Sequence, residues 1–160
     1  MKMKMMFTAL LIATALLGKE FQIAQAGKTD YNIVIIGEKN EINDFAGEEL
    51  SYFLRKSTGA EFKISATATA KNFFIGTQET APTSLQDQAY VIETKGENIY
   101  LYGKGKHGNL YAVYEYLERI IGIRWFSAYG DTKIPALPEL KHQDLHIAGN
   151  YSFRIRSTQT

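Results

Sequence analysis

The sequence predicts an α+β domain of two layers, a mixed β-sheet with two helices packed on one face. Three observations carry that expectation. Residues 42–59 and 108–122 each place apolar side chains at helical spacing and end on a glycine. Short β-branched and aromatic runs of strand length surround them, two of these separated by a glycine-containing turn. Each helix has a single apolar stripe, so both bury their stripes most simply on one sheet face around one core.

Each element follows from its residues. Tyr31, Ile33, Val34, Ile35 and Ile36 form a buried strand that Gly37 ends. Asn43 or Asp44 offers an N-cap, and Ile42, Ala46, Leu50, Phe53 and Leu54 then recur at spacings of three and four before Gly59 stops the helix. Residues 61–65 and 72–76 read as short strands, and residues 77–88, with Pro82 and no periodicity, as an exposed loop. Residues 89–94 and 98–102 pair as a hairpin around Lys95-Gly96-Glu97. Ile99 and Leu101 share one face of it, and Tyr100 and Tyr102 the other. Leu110, Val113, Tyr114, Leu117, Ile120 and Ile121 mark a second helix over residues 108–121 that Gly122 stops. Arg124-Trp125-Phe126 is a short edge, and residues 144–147 are a last strand. The predicted order is β-α-β-β-β-β-α-β, without internal repeat or heptad.

The N-terminus reads as an export signal. Lys2 and Lys4 precede an apolar run over residues 7–17, and Ala24-Gln25-Ala26 supplies the small residues a signal peptidase reads. Residues 1–26 are therefore expected to be a signal peptide cut after Ala26, and the protein to be periplasmic or secreted. The run is too short for the roughly 20 residues of a membrane-spanning helix, so no membrane contact is expected after cleavage. Beyond residue 26, 15 basic side chains stand against 16 acidic ones. That near balance leaves no strong field, and no nucleic-acid partner is expected. The absence of cysteine excludes disulfides, thiolate metal sites, cysteine nucleophiles and a lipoprotein anchor.

Few residue patterns promise chemistry. A dinucleotide fingerprint needs glycine at 37, 39 and 42, where the chain has Gly37, Lys39 and Ile42. Gly103-Lys104-Gly105-Lys106-His107-Gly108 leads into a helix N-terminus that can hold an anion, but it lacks the Walker spacing and reads equally as a strand-to-helix turn. His142, Asp144 and His146 alternate and are metal-ligand types, yet their polar, proline-flanked setting favours plain surface residues. No metal and no cofactor is expected. Glu115 and Glu118 are neighbours on the second helix, and a carboxylate pair is the minimum for cleaving a glycosidic bond. Arg119 beside them makes a solvated face the simpler account. No catalytic residue is assigned.

The run Gly108-Asn109-Leu110-Tyr111-Ala112-Val113-Tyr114-Glu115-Tyr116-Leu117-Glu118, continuing through Gly122-Ile123-Arg124-Trp125-Phe126, resembles the N-terminal domain of family 67 α-glucuronidases. It is also similar to the second domain of family 20 β-hexosaminidases and to related accessory domains of exported bacterial glycoside hydrolases. Residues 46–54 with Ser57-Thr58-Gly59, Phe74-Ile75-Gly76, and Leu101-Tyr102-Gly103 fit the same pattern. The resemblance implies a β-hexosaminidase domain-2-like fold over residues 27–148. It also implies a non-catalytic role in plant or host polysaccharide degradation, packed against a C-terminal (β/α)₈ barrel that carries the catalytic carboxylates and is missing here. Residues 149–160 then begin that truncated barrel domain. Arg156 matches an arginine that contacts sugar hydroxyls in the hexosaminidase relatives, although Ser157-Thr158 follows where their pattern has glycine. Trp125 is the other candidate substrate-binding residue, by stacking on a sugar. Two rival readings remain. One is a stand-alone periplasmic carbohydrate-binding domain that presents Tyr100 and Tyr102 to an oligo- or polysaccharide. The other is a small enzyme using Glu115 and Glu118.

Overall fold

The computed structural model describes residues 20–36, 40–76, 85–127 and 130–150. Its elements run β1 (Phe21–Gln25), β2 (Asn32–Ile35), α1 (Glu41–Thr58), β3 (Lys63–Ser65), β4 (Asn72–Ile75), β5 (Tyr90–Lys95), β6 (Asn98–Gly103), α2 (Gly108–Tyr116), β7 (Arg124–Trp125), β8 (Thr132–Lys133), β9 (Glu139–His142) and β10 (His146–Gly149). A π-helical turn, Leu117–Ile121, continues α2.

Six strands form the main sheet in the order β10-β5-β6-β4-β2-β3. β2 pairs in parallel with β3 and β4, and β4 in parallel with β6. β5 is antiparallel to both β6 and β10, so the sheet is mixed as expected. Lys95 pairs with Asn98, so the hairpin turn is Gly96-Glu97, with Gly96 at φ 63°. Both helices pack on the face presented by Ile33, Phe73, Ile75, Ile92, Ile99 and Leu101, and all of these belong to one core. α1 contributes Ala46, Leu50, Phe53 and Leu54 to it, and α2 contributes Ala112, Val113 and Tyr116. Each fully buried Leu, Ile or Phe contributes roughly 1.5–3 kcal/mol. Asn40, not Asn43 or Asp44, is the N-cap of α1, its Oδ1 accepting from the Asn43 amide at 2.9 Å. Asn43 instead faces inward and accepts from Asn109 Nδ2 at 3.0 Å.

The second helix reaches Ile121 as its sequence period suggests, but its last turn is π-helical. The regular helix ends at Tyr116, and the wider π turn brings Leu117 and Ile121 inward before Gly122, at φ 87°, stops it. Its start depends on a close approach of two backbones. A Cβ on Gly103 would lie 2.4 Å from the Ala89 carbonyl oxygen and 2.5 Å from Gly108. The glycines of residues 103–108 therefore serve packing between the end of β6 and the start of α2.

The largest departure is at the N-terminus. Phe21–Gln25, expected to leave with the signal peptide, is a core strand antiparallel to β9. Phe21, Ile23 and Ala24 are buried, so the domain begins before residue 27. β9 itself was unexpected, because its inward positions are Leu140 and the polar His142. His142 lies edge-on to both Phe21 and Tyr116, and its Nε2 shares a short hydrogen bond of 2.5 Å with the Tyr116 hydroxyl. Burial pulls the imidazole pKa down to about 4, and burial also holds the Tyr116 phenol well above its usual range. The last strand runs from His146 to Gly149, two residues beyond the expected one. Among the described residues no helix is long and apolar enough to cross a membrane.

Candidate functional site

An open cleft of about 790 Å³ lies where α1, α2 and the β7–β8 ribbon meet. Glu49 of α1, Tyr114 of α2, Trp125 of β7 and Thr132 of β8 line it with Phe126, Ser127 and Gly130. Trp125 is half-buried, its ring edge-on to Phe53 and to Tyr114, both at 5.4 Å between centroids. The Tyr114 hydroxyl donates to Glu49 Oε2 at 2.8 Å. Burial and then that bond raise the Tyr114 pKa, which keeps the phenol neutral. The Phe126 amide donates to the Asp131 carbonyl, closing the ribbon, while the Phe126 ring stands 71% exposed at the rim.

The apolar surface extends beyond the cleft. Phe45, Glu49 and Tyr52 occupy one stripe of α1 at i, i+4 and i+7. Phe45 and Tyr52 are 45% and 43% exposed. Phe45 and Tyr52 of α1 and Phe126 at the cleft rim thus present aromatic side chains to solvent. Sequence periodicity places Tyr114 on the helix core stripe and leaves Glu49 among the polar residues. Two aromatic side chains seven residues apart on an otherwise polar face were the signal that could have revealed this surface.

The other candidates are dispersed. Glu115 accepts from the Tyr90 hydroxyl at 2.9 Å and pairs with Arg119 at 2.6 Å. Glu118 is exposed beside Arg124 at 3.7 Å, so the two carboxylates do not share a cleft. His142 is buried against Tyr116, whereas His146 is exposed 3.6 Å from Glu93 on a different sheet. The two histidines therefore do not share a strand face. Tyr102 is buried, its hydroxyl donating to Glu93 at 3.1 Å. Tyr100 lies flat against Phe74 at 4.8 Å, with Lys95 5.1 Å from its ring centroid. The burial of Tyr102 and the stacked ring of Tyr100 correct the expectation of an exposed tyrosine platform. Arg156, Gly37 and most of the loop over residues 77–88 lie outside the described residues. Among the described residues lining the cleft, Glu49 is the sole carboxylate, and it is engaged by Tyr114; glycosidic cleavage needs two.

This two-layer α+β fold recurs as a domain in solved glycoside hydrolases. A family GH115 4-O-methyl-α-glucuronidase described as specific for decorated arabinogalactans shares the fold at a TM-score of 0.60 and 14% identity, over 82% of this chain and 18% of that one. The GH20 β-N-acetylhexosaminidase of Streptomyces coelicolor A3(2) shares it at 0.58 and 15%, over 86% of this chain and 24% of that one. The GH20 exo-β-N-acetylglucosaminidase of Vibrio harveyi does so at 0.54 and 17%, over 88% and 18%. The chain thus spans about a quarter or less of each of these proteins. No curated protein matches it in sequence.

The family itself comes from the sequence. The profile described as "Glycosyl hydrolase family 67 N-terminus" matches residues 15–116, well over half of the chain. The chain belongs to that family, and it is an accessory module of the glycoside hydrolase type.

Proposed function

We propose that this chain is the non-catalytic N-terminal module of an exported glycoside hydrolase, and that the aromatic outer face of its helix layer seats the catalytic domain of the full-length protein. The observation that carries this reading is the exposure of Phe45, Tyr52 and Phe126 around a cleft whose one described carboxylate is already hydrogen-bonded. Exposed rings grouped on one face favour a neighbouring protein surface. Family membership favours the catalytic domain as that neighbour. The parent enzyme, in this reading, is α-glucuronidase- or hexosaminidase-like and acts on plant or host polysaccharide from a (β/α)₈ barrel. Trp125 then stiffens the seat, and Arg156 belongs to the approach to the barrel.

The test has two arms. Purified chain alone should show no turnover of aryl-glucuronides or aryl-N-acetylglucosaminides. In the full-length enzyme, Tyr52→Ser combined with Phe126→Ser should lower the thermal midpoint by several degrees, while the same pair leaves the isolated module's midpoint within about 1 °C. Turnover by the module alone would refute the non-catalytic assignment. Saturable oligosaccharide binding that Trp125→Ala abolishes would favour a stand-alone carbohydrate-binding domain.

A further inference from the structure

We infer that the cleft between Glu49, Tyr114 and Trp125 receives an arginine side chain of the neighbouring domain, with Glu49 as its counter-charge. The inference rests on the reading of this face as a seat, and names what the seat must accept. Glu49 is half-buried and lines the cleft with Tyr114, Trp125, Phe126 and Thr132. Its Oε2 accepts from the Tyr114 hydroxyl at 2.8 Å, a neutral donor that leaves the carboxylate charge unbalanced. Its Oε1 has no hydrogen bond among the described residues.

Three other half-buried carboxylates show what is missing. Glu93 pairs with Lys95 at 2.9 Å, Glu97 with Lys71 at 3.0 Å, and Glu115 with Arg119 at 2.6 Å. Among the described residues no base pairs with Glu49. Arg124, next to Trp125 in the chain, is held by the Glu118 carboxylate at 3.7 Å and by the Glu118 and Ile123 carbonyls at 2.7 and 2.9 Å. Lys56, further along α1, lies 5.6 Å from the Tyr52 ring centroid. A domain seated on this face excludes water from Glu49. A carboxylate desolvated without a counter-charge is strongly destabilising, so the surface that fits here brings a cation. The surrounding rings select which one. A guanidinium is planar and weakly hydrated, and it lies against aromatic faces while its N–H fork reaches a carboxylate; an ammonium is compact and holds its water. Trp125, packed edge-on to Phe53 and Tyr114, forms its wall of the cleft in advance.

Trp125 is the only tryptophan of the chain, so its fluorescence reports on the cleft. The purified chain is titrated with agmatine, a free guanidinium cation, at constant ionic strength. The expected result is a saturating change in emission that Glu49→Gln weakens by at least about tenfold. Glutamine keeps an oxygen to accept from Tyr114, so the thermal midpoint of the chain itself should not move. A titration without saturation, equal binding by the Gln variant, or equal binding of butylammonium overturns the inference. In the full-length enzyme Glu49→Gln should lower the thermal midpoint. If Tyr52→Ser with Phe126→Ser lowers that midpoint and Glu49→Gln does not, the seat stands and the arginine falls. If neither lowers it, the seat reading itself falls.

Discussion

α1 and α2 sit side by side on the same sheet face, yet they are specified in different ways. α1 carries its own instructions. Asn40 caps its N-terminus, Glu41 and Asp44 occupy its first turn, and Arg55 and Lys56 its last. Gly59, at φ 74°, closes it by donating its amide to the Arg55 carbonyl at 2.8 Å. α2 has nine residues, no side-chain cap, no acid in its first turn and no base in its last. Distant residues hold it instead: the Gly103–Gly108 approach, Asn109 accepting from the Gly103 amide at 2.9 Å, Tyr90 on Glu115, and His142 on Tyr116. One helix is locally encoded, and the other exists because the tertiary structure demands it.

The harshest way to break that contrast is Gly103→Ala. The added methyl meets backbone on two sides, which cannot rotate away, so a loss of ~3 kcal/mol or more is expected, read by urea denaturation. Acid tests the second tie. The folded pKa of His142, about 4, lies below the ordinary 6.5, so the unfolded chain takes up the proton first. Stability should therefore fall as pH drops from about 6.5 to about 4, by up to ~3 kcal/mol, and His142→Asn should flatten that slope. For α1, Asn40→Ala should cost only ~1 kcal/mol, and Gly59→Ala a similar amount. The mildest effect sharpens the comparison most directly. A peptide of residues 40–59 should be measurably more helical by circular dichroism in the cold than one of residues 107–122, and equal helicity would remove the distinction.

The same contrast explains what the sequence let one read. α1, its glycine stop, β2 and the β5–β6 hairpin are legible because their signals are contiguous. The end of α2 at Gly122 is legible too, but the π turn over Leu117–Ile121 leaves no mark in the apolar period. β1 is hidden because small residues at 24 and 26 satisfy both a peptidase and a tight strand–turn. β9 is hidden because half of its inward face is a histidine that only Tyr116 makes acceptable in the core. Asn40 went unnoticed as a cap because Asn43 and Asp44 follow it closely. The aromatic cleft joins residues 49, 114 and 125–132, and no local pattern links positions so far apart. Trp125 alone stood out, through its bulk beside a glycine stop.

The β1–β9 pairing also sets a timetable. Gln25 and Glu139 are 114 residues apart. At about 5–20 residues per second, β1 waits on the order of ten seconds after its own synthesis before its partner exists. Until then the ring of Phe21 has no His142 to rest on, and the β1–β9 ribbon cannot form. The strand order thus holds back completion of the fold until nearly the whole domain has been synthesised.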